Sequence, residues 1–354
     1  MAEAVLTRAV IPEKELTIVP GYHSILVTIK SGDNKVVPNF PVFCKDGSVN
    51  YNYTTNSKGQ VLFMVNSGAA NIYANNVINS VTYIDFIGNS KNIDAPAGSS
   101  TKVELILKNG QNYYEYTSSK KFGIGMARNV NLTLIGGGGG GGSGCGKSGV
   151  YLAYGGGGGA GYMNNYNSII MGPMTVYNFQ CGAGGKGGMN PANQNTNGNS
   201  GNTGGTSYLV GTDYSAIGGS GGGHAIWRSS GSSINGLHGT GGLGNGAGRY
   251  VEMGNLACEP PENASVDFAG GGGGGFSLNG VSYMVNENGS WLRFRGHKYG
   301  GGYDENFDHV VASRGGGGMG GYICWNIGNY SNDLDTKSAG YHGGAGLMRI
   351  NIYY

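Results

Sequence analysis

Residues 132–149 read LTLIGGGGGGGSGCGKSG and contain a complete match to the phosphate-loop pattern G-x-x-x-x-G-K-[ST]. Gly141 and Gly146 are followed by Lys147 and Ser148 at the required spacing. The pattern binds phosphate only where a helix begins at the Lys-Ser pair and turns its dipole towards the anion. The next residues, GVYLAYGGGGG, hold no more than a turn of helix. We therefore interpret the match as a chance product of a glycine-rich chain.

Glycine supplies 74 of the 354 residues, whereas an average protein has roughly 7%. Charged residues are 12% of the chain and the net charge is +2. This balance forms no patch that could follow a phosphate backbone, so we expect no nucleic-acid partner. The 38% of hydrophobic residues and the 24 tyrosines indicate a folded protein, because disordered glycine-rich segments are poor in aromatic residues.

Other groups with chemical potential are scattered. The acidic segments DENFDH (304–309) and NDLDT (332–336) lack the ordered oxygens and the central glycine of a calcium loop. No serine has a G-x-S-x-G context. We expect no metal, no cofactor, no catalytic residues and no enzymatic activity. A hydrolase assembled in space, such as an envelope-polymer depolymerase, stays open at this point.

The five cysteines are far apart and form no C-x-x-C pair, so we expect buried or half-buried free thiols rather than a disulfide framework or a zinc site. The N-terminal residues MAEAVLTRAVIPEKEL contain no apolar core of signal-peptide length. No run reaches the ~18 apolar residues of a membrane span. The sequence therefore predicts a protein made in a cytoplasm, without membrane insertion.

Residues 21–109 follow a period of two and predict an all-β sandwich of about seven short strands, after an N-terminal arm (1–20). HSILVTIK (23–30) places Ile25, Val27 and Ile29 on one face. Further predicted strands include VVPNFPVFC (36–44), VTYIDFIG (81–88) and TKVELILK (101–108). The order VVPNFPVFC, YNYTTNSKGQVLFMV, SGAANIYA resembles carboxypeptidase-regulatory-like or transthyretin-like sandwiches, which implies a spacer or anchor.

After residue 109 the chain alternates glycine tracts with strand-like aromatic runs, which predicts a second, glycine-rich domain (110–354). A pure glycine run loses much backbone entropy on ordering and buries no side chain in return. Extended helices of the polyglycine II type compensate for this loss, because bare backbones approach closely enough to bond to each other. We expect such helices, packed between short strands and loops, and we use the word rod below for any extended glycine-rich segment. Representative rod residues are Gly139, Gly157, Gly272 and Gly316.

The order of these segments resembles a known family. NVNLTLIGGGGGGG, a second tract with GAGY, GPMTVYNFQCGAGG, GGTSY and a closing GGAGLMRINI are similar to the glycine-rich domain of bacteriophage tail-fibre and receptor-binding proteins. The resemblance spans roughly residues 113–354. It implies a virion protein of the tail or baseplate, docked by its N-terminal part to other virion proteins. It also implies a homotrimer that presents distal loops to a glycan or protein of the bacterial surface.

Candidate receptor contacts lie in three segments that combine tryptophan, tyrosine and arginine with adaptable polar residues: HAIWRSS, SWLRFRGHKYGGGYDENFDH and YICWNIGNYSNDLD. Recognition surfaces favour this mixture, and flat aromatic faces stack on sugar rings. Some of these aromatic residues are equally expected as plugs between rods. The candidates are Trp227, Arg228, Trp291, Arg293, Tyr303, Phe307, His309 and Trp325.

A second hypothesis assigns no receptor to the protein. In this alternative the chain is a purely structural virion component, such as a capsid or baseplate decoration or spacer. Its glycine-rich domain then only stabilises the virion or acts as a spacer. The two hypotheses differ in one property, the binding of host cells.

Overall fold

The computed structural model confirms the predicted all-β fold, and no helix occurs among the residues that it describes. None of those residues therefore forms a helix long and apolar enough to cross a membrane. The described residues are 21–66, 69–94, 96, 98–144, 155–189, 197–224, 226 and 340–354, together with 277–278, 281–285, 291–294, 302–303, 309–310, 312 and 317.

The first ten strands form two four-stranded sheets and a hairpin. The sheet orders are β4-β1-β10-β8 and β3-β2-β5-β9, and β6 pairs with β7. The strands are β1 (His23–Ser31), β2 (Pro41–Asp46), β3 (Val49–Thr54), β4 (Gln60–Val65), β5 (Ala69–Ala74), β6 (Val77–Ile78), β7 (Val81–Thr82), β8 (Phe86–Ile87), β9 (Asn89–Asp94) and β10 (Ser100–Asn109).

The core of this part lies between the two sheets and follows the predicted alternation. Ile25, Val27 and Ile29 of β1 are all fully buried, which confirms the face assigned to them. Strand β1 lies at the centre of its sheet, antiparallel to β4 and parallel to β10. Phe40 and Phe86 meet edge to face in the same core, with ring centroids 5.2 Å apart.

Two predicted strands are shorter than expected. The run 36–44 becomes a strand only from Pro41, because Pro38 has no N–H to donate and Asn39 takes a left-handed conformation with φ of 55°. The run 81–88 splits into β7 and β8 because the residues between them pair with the second half of the chain: Tyr83 forms an isolated parallel bridge with Gly123, and the Ile84 N–H donates to the Gly123 carbonyl at 3.0 Å.

Cys44 provides a test of the sandwich core. It is a free thiol, fully buried on β2, and burial raises its pKa to about 12. Because the thiolate is the reactive form, we expect Cys44 to resist alkylation by iodoacetamide at pH 8 in the folded protein and to react readily in denaturant. Peptide mass spectrometry reports this. Modification of Cys44 in the folded protein as fast as in denaturant would contradict the burial.

The part of the second half that the structure describes contributes thirteen strands. They are β11 (Tyr113–Tyr116), β12 (Lys120–Ile124), β13 (Arg128–Ile135), β14 (Met163–Met171), β15 (Thr175–Gln180), β16 (Ser207–Leu209), β17 (Ser215–Ala216), β18 (Ser277–Leu278), β19 (Val281–Val285), β20 (Trp291–Phe294), β21 (Gly302–Tyr303), β22 (His309–Val310) and β23 (Leu347–Tyr353). Sheets β11-β23-β13-β14 and β12-β15-β16-β17 enclose a second core.

A buried polar joint connects the two halves of the chain. Asp85 is fully buried and accepts hydrogen bonds from the N–H groups of Gly125 (2.6 Å) and Met126 (3.0 Å). The Nε of Arg128, the first residue of β13, lies 3.3 Å from the same carboxylate. The Arg128 guanidinium also lies 4.7 Å from the centre of the Tyr354 ring. Burial raises the pKa of Asp85, while these N–H groups and the arginine charge oppose the rise.

Candidate functional site

Among the described residues of the second half, six extended glycine-rich segments stand between the strands, and we call them rods A to F. They are rod A (136–143), rod B (155–162), rod C (182–188), rod D (199–205), rod E (217–223) and rod F (340–346).

Rod A is the centre of this bundle, and its N–H groups alternate among three neighbours with a period of three residues. Counted from Gly136, the N–H groups of the first, fourth and seventh residues donate to carbonyls of rod B. Those of the second, fifth and eighth residues donate to rod D, and those of the third and sixth donate to rod F. The N···O distances are 2.8–3.0 Å. Rod A accepts in the same rhythm: its second and fifth carbonyls accept from rod E, and its third and sixth accept from rod C.

The surrounding rods also bond to each other. The N–H groups of rod B donate to rod E, and those of rod F donate to rod C. Rod D donates to both rod E and rod C. Each of these neighbouring pairs runs antiparallel, because residue numbers rise along one rod as they fall along the other. The described rods therefore form a ring of five around rod A, in the order B, E, D, C, F.

The close approach of the rods explains why rod A is almost pure glycine. A Cβ on Gly139 would lie 2.0 Å from the carbonyl oxygen of Ser220 in rod E. A Cβ on Gly140 would lie 2.1 Å from the carbonyl oxygen of Lys186 in rod C. Both oxygens belong to backbone that is fixed by hydrogen bonds. The predicted rod residue Gly157 is buried within rod B, whereas Gly272 and Gly316 lie outside the described residues.

All six rods have one end at the strands. Rods A, C and E follow strands β13, β15 and β17, and rods B, D and F lead into β14, β16 and β23. We call this the strand end and the opposite end the loop end. The three connections between consecutive described rods, residues 144–154, 189–198 and 224–339, therefore each begin and end at the loop end.

Side-chain hydrogen bonds tie the roots of these three connections together. Ser143, fully buried at the end of rod A, accepts from the N–H of Asn199 with its Oγ at 2.7 Å. The Asn199 amide donates to the Met189 carbonyl at 3.0 Å. The Oγ of Ser200 and the Nδ1 of His224 are 2.8 Å apart. The loop end is thus a fixed frame, assembled from residues far apart in sequence.

The phosphate-loop match begins within this frame. The N–H groups of Gly141, Gly142 and Ser143 donate to the carbonyls of Tyr341, Gly156 and Asn199 respectively. These donors are therefore occupied by backbone and do not ring an anion. Lys147 and Ser148 lie outside the described residues.

The connection between rods E and F carries all eight predicted contact residues. Four of them lie in one five-stranded sheet of order β20-β19-β18-β21-β22. Trp291 and Arg293 are in β20, and Tyr303 in β21 pairs with His309 in β22. Trp227, Arg228, Phe307 and Trp325 lie outside the described residues. The described part of the chain contains no cluster of three metal-ligating side chains.

Two features were missed at the sequence level. The polar composition of residues 189–205 predicts a variable loop tip, but residues 199–205 of that segment form rod D. Glycine at every third position, Gly198, Gly201 and Gly204, was the available signal, since this spacing marks the side of an extended helix that meets a neighbour. The buried joint around Asp85 was also missed. Its only signal in the sequence is a lone carboxylate within the apolar run VTYIDFIG.

The second half of the chain combines β-sheets with a bundle of glycine-rich rods that continue from their strands, and this architecture is that of a glycine-rich domain. The profile of the glycine-rich domain family matches residues 115–353, about two thirds of the sequence. The chain is therefore a member of the glycine-rich domain family. No curated protein matches the sequence.

Two solved structures show distant likeness to the chain. A DUF3823 family protein from Parabacteroides merdae shares 8% identity and a TM-score of 0.22, covering 46% of this chain and 90% of that protein. The Bacillus anthracis TIE protein shares 9% identity and a TM-score of 0.23, covering 86% of this chain. The present chain spans 46% of that protein's length. Likenesses of this size add nothing to the argument about fold or function.

Proposed function

We propose that the protein is a non-enzymatic receptor-binding protein of a bacteriophage tail or baseplate, and that the loop end of the bundle carries its recognition surface. In this proposal the rods are polyglycine II-type helices that hold the three connections rigidly. Their three-residue hydrogen-bond period supports this helix type, which has three residues per turn. The sandwich docks to other virion proteins, and the assembled form is a homotrimer.

One observation carries the proposal: the three connections leave the bundle at the end that faces away from the sandwich. The sandwich contacts the start of β13 through Asp85, and β13 runs directly into rod A. Eight strand residues and eight rod residues span roughly 50 Å, at about 3.3 Å and 3.1 Å per residue. An anchor at one end and loops at the other is the arrangement that an adhesin requires.

The partner is a glycan or protein of the bacterial surface. The connection from rod E to rod F supplies aromatic and arginine residues, which dominate binding energy at recognition surfaces. A rigid base contributes because loops that are ordered before binding lose little conformational entropy on binding.

Binding of the labelled full-length protein to susceptible bacteria tests the proposal. We expect saturable binding that competes with infection. Trp291→Ala should weaken it roughly 30-fold, the effect of losing a contact worth about 2 kcal/mol. Flow cytometry measures the binding, and thermal denaturation verifies that the variant is folded.

Tyr208→Ala is the matched control, because Tyr208 is an exposed aromatic residue on β16, at the strand end. It should bind like the wild type. Absence of binding to every susceptible strain would overturn the proposal in favour of a purely structural virion component. Release of soluble fragments from the bacterial envelope would instead reveal a depolymerase.

A further inference from the structure

The outer face of the sheet β4-β1-β10-β8 gathers exposed apolar side chains of the sandwich. Side chains alternate between the two faces of a sheet. On β10 the residues Val103, Leu105 and Leu107 are buried in the core, and the residues between them are exposed on the outer face. Seven large hydrophobic side chains are exposed among the described residues of the sandwich, and four of them lie on this face. They are Val36, Met64, Ile87 and Ile106.

The strand register places the apolar residues of this face in two groups. In the first group, Leu26 of β1 is directly opposite Leu62 of β4, and both are half-buried. Met64 is the next outward residue along β4. Side chains that are opposite each other, or one outward position apart on neighbouring strands, lie within reach of each other. These three residues therefore form one apolar patch.

The second group crosses the other end of the face. Val36 forms an isolated bridge with Lys30, and Lys30 is paired with Ile106 of β10. Ile87 of β8 is opposite Lys108, the next outward residue along β10. The hydrocarbon stem of a lysine covers apolar surface while its ammonium group stays in water. Lys30 therefore continues the apolar surface between Val36 and Ile106.

The same face has a net positive charge. Lys102 and Lys108 both extend from β10, one beside each apolar group. The Nζ of Lys30 lies 2.7 Å from the Oε2 of Glu104, the one carboxylate among the outward residues of these four strands. Among the described residues, neither Lys102 nor Lys108 forms an ion pair. The face thus combines aliphatic side chains with two uncompensated lysines.

The outer face of the other sandwich sheet, β3-β2-β5-β9, is of a different kind. Its aromatic residues Phe43 and Tyr73 stack on each other, with ring centroids 5.2 Å apart. The amide of Asn71 donates to the amide oxygen of Asn92 at 2.6 Å. None of the described large hydrophobic residues on that face is exposed. Of the two outer faces, the first is therefore the one with apolar surface left to bury.

We propose that the outer face of the sheet β4-β1-β10-β8, together with Val36, is the surface by which the sandwich docks to another virion protein. We call it the docking face. The assignment rests on the proposed function, because that function supplies the virion partner. The partner presents an apolar centre with carboxylates around it, since the aliphatic residues are covered on docking and the lysines gain opposite charges.

The composition of the docking face favours a protein over a membrane. Clusters that bind anionic lipids have roughly four to eight basic residues, whereas this face carries three lysines, one of them paired with Glu104. Protein interfaces combine an apolar centre with a polar rim, which is the mixture found here. A partner bound to the sandwich also leaves the connections at the loop end free to contact bacteria.

Substitutions on the docking face of the full-length protein test the assignment. Lys102→Glu/Lys108→Glu places new carboxylates against those of the partner, so we expect the number of copies per purified virion to fall roughly tenfold or more. Ile106→Ser removes an apolar contact without a change of charge and should lower it roughly fivefold or more. Quantitative mass spectrometry of virions produced with the substituted chain measures the copies.

Lys45→Glu/Lys91→Glu is the matched control, because it reverses two exposed lysines of the other sandwich sheet and changes the net charge equally. It should be incorporated like the wild type. All three variants should keep the wild-type melting temperature, because the changed side chains are exposed. As free proteins they should also bind bacteria like the wild type.

The outcomes separate the docking face from the proposed function. If the wild type is present in virions and the docking-face variants are incorporated as well as the control, the docking face is refuted and the proposed function stands. Absence of the wild type from purified virions overturns both. If Lys102→Glu/Lys108→Glu is incorporated normally but no longer binds vesicles of phosphatidylserine and phosphatidylcholine that the wild type binds, the face contacts a membrane instead.

Discussion

Replacement of Gly139 by valine is expected to unfold the glycine-rich half of the protein. The valine Cβ would start 2.0 Å from the Ser220 carbonyl oxygen, and its two methyl groups would extend further into rod E. Overpacking in ordinary cores costs about 1–3 kcal/mol because flexible side chains rearrange. Here the obstacle is hydrogen-bonded backbone on all sides, so we expect more than about 4 kcal/mol. Thermal denaturation followed by circular dichroism measures this loss.

Ala183→Val is the matched control, since it adds the same β-branched side chain at an exposed position of rod C. It should change the free energy of unfolding by less than about 0.5 kcal/mol. If Gly139→Val were as stable as Ala183→Val, the close contact between rods A and E would be wrong.

The sequence predicted the presence of the rods more successfully than their arrangement. The tract 136–142 and the strand before it were recognisable, because side chains alternate up to Ile135 and vanish after it. Which rods are neighbours was not predictable, since glycine carries no side chain that could encode a partner. The pairing depends on backbone groups, and every residue has the same ones.

For the strands, the sequence predicted the arrangement of side chains better than the strand boundaries. Strand β1 was predicted together with its buried face. The break in the run 81–88 was not predicted, because it depends on a tertiary contact between Tyr83 and Gly123. Of the candidate site, the sequence identified residue types suited to recognition. That four of them share one sheet follows from pairings between segments distant in sequence.

Asp85→Ala is expected to weaken the joint between the sandwich and the glycine-rich half. The substitution leaves the N–H groups of Gly125 and Met126 without their acceptor and the Arg128 guanidinium, 7% exposed, without its counter-ion. Removing one partner of a buried ion pair costs about 3–5 kcal/mol, mostly through the charge that remains. Calorimetry should show a lower melting temperature and a separation of one transition into two.

Asp213→Ala, an exposed aspartate in the turn before β17, is the control and should be neutral. The double variant Asp85→Ala/Arg128→Leu separates attraction within the pair from the cost of an orphaned charge. Burial raises the pKa of Asp85. The desolvation of its ionised carboxylate therefore outweighs the stabilisation of that carboxylate by its hydrogen bonds and by Arg128. The double variant should therefore regain much of the lost stability. A double variant as unstable as the sum of both single ones would show no coupling between Asp85 and Arg128 and would contradict the ion-pair account of the joint.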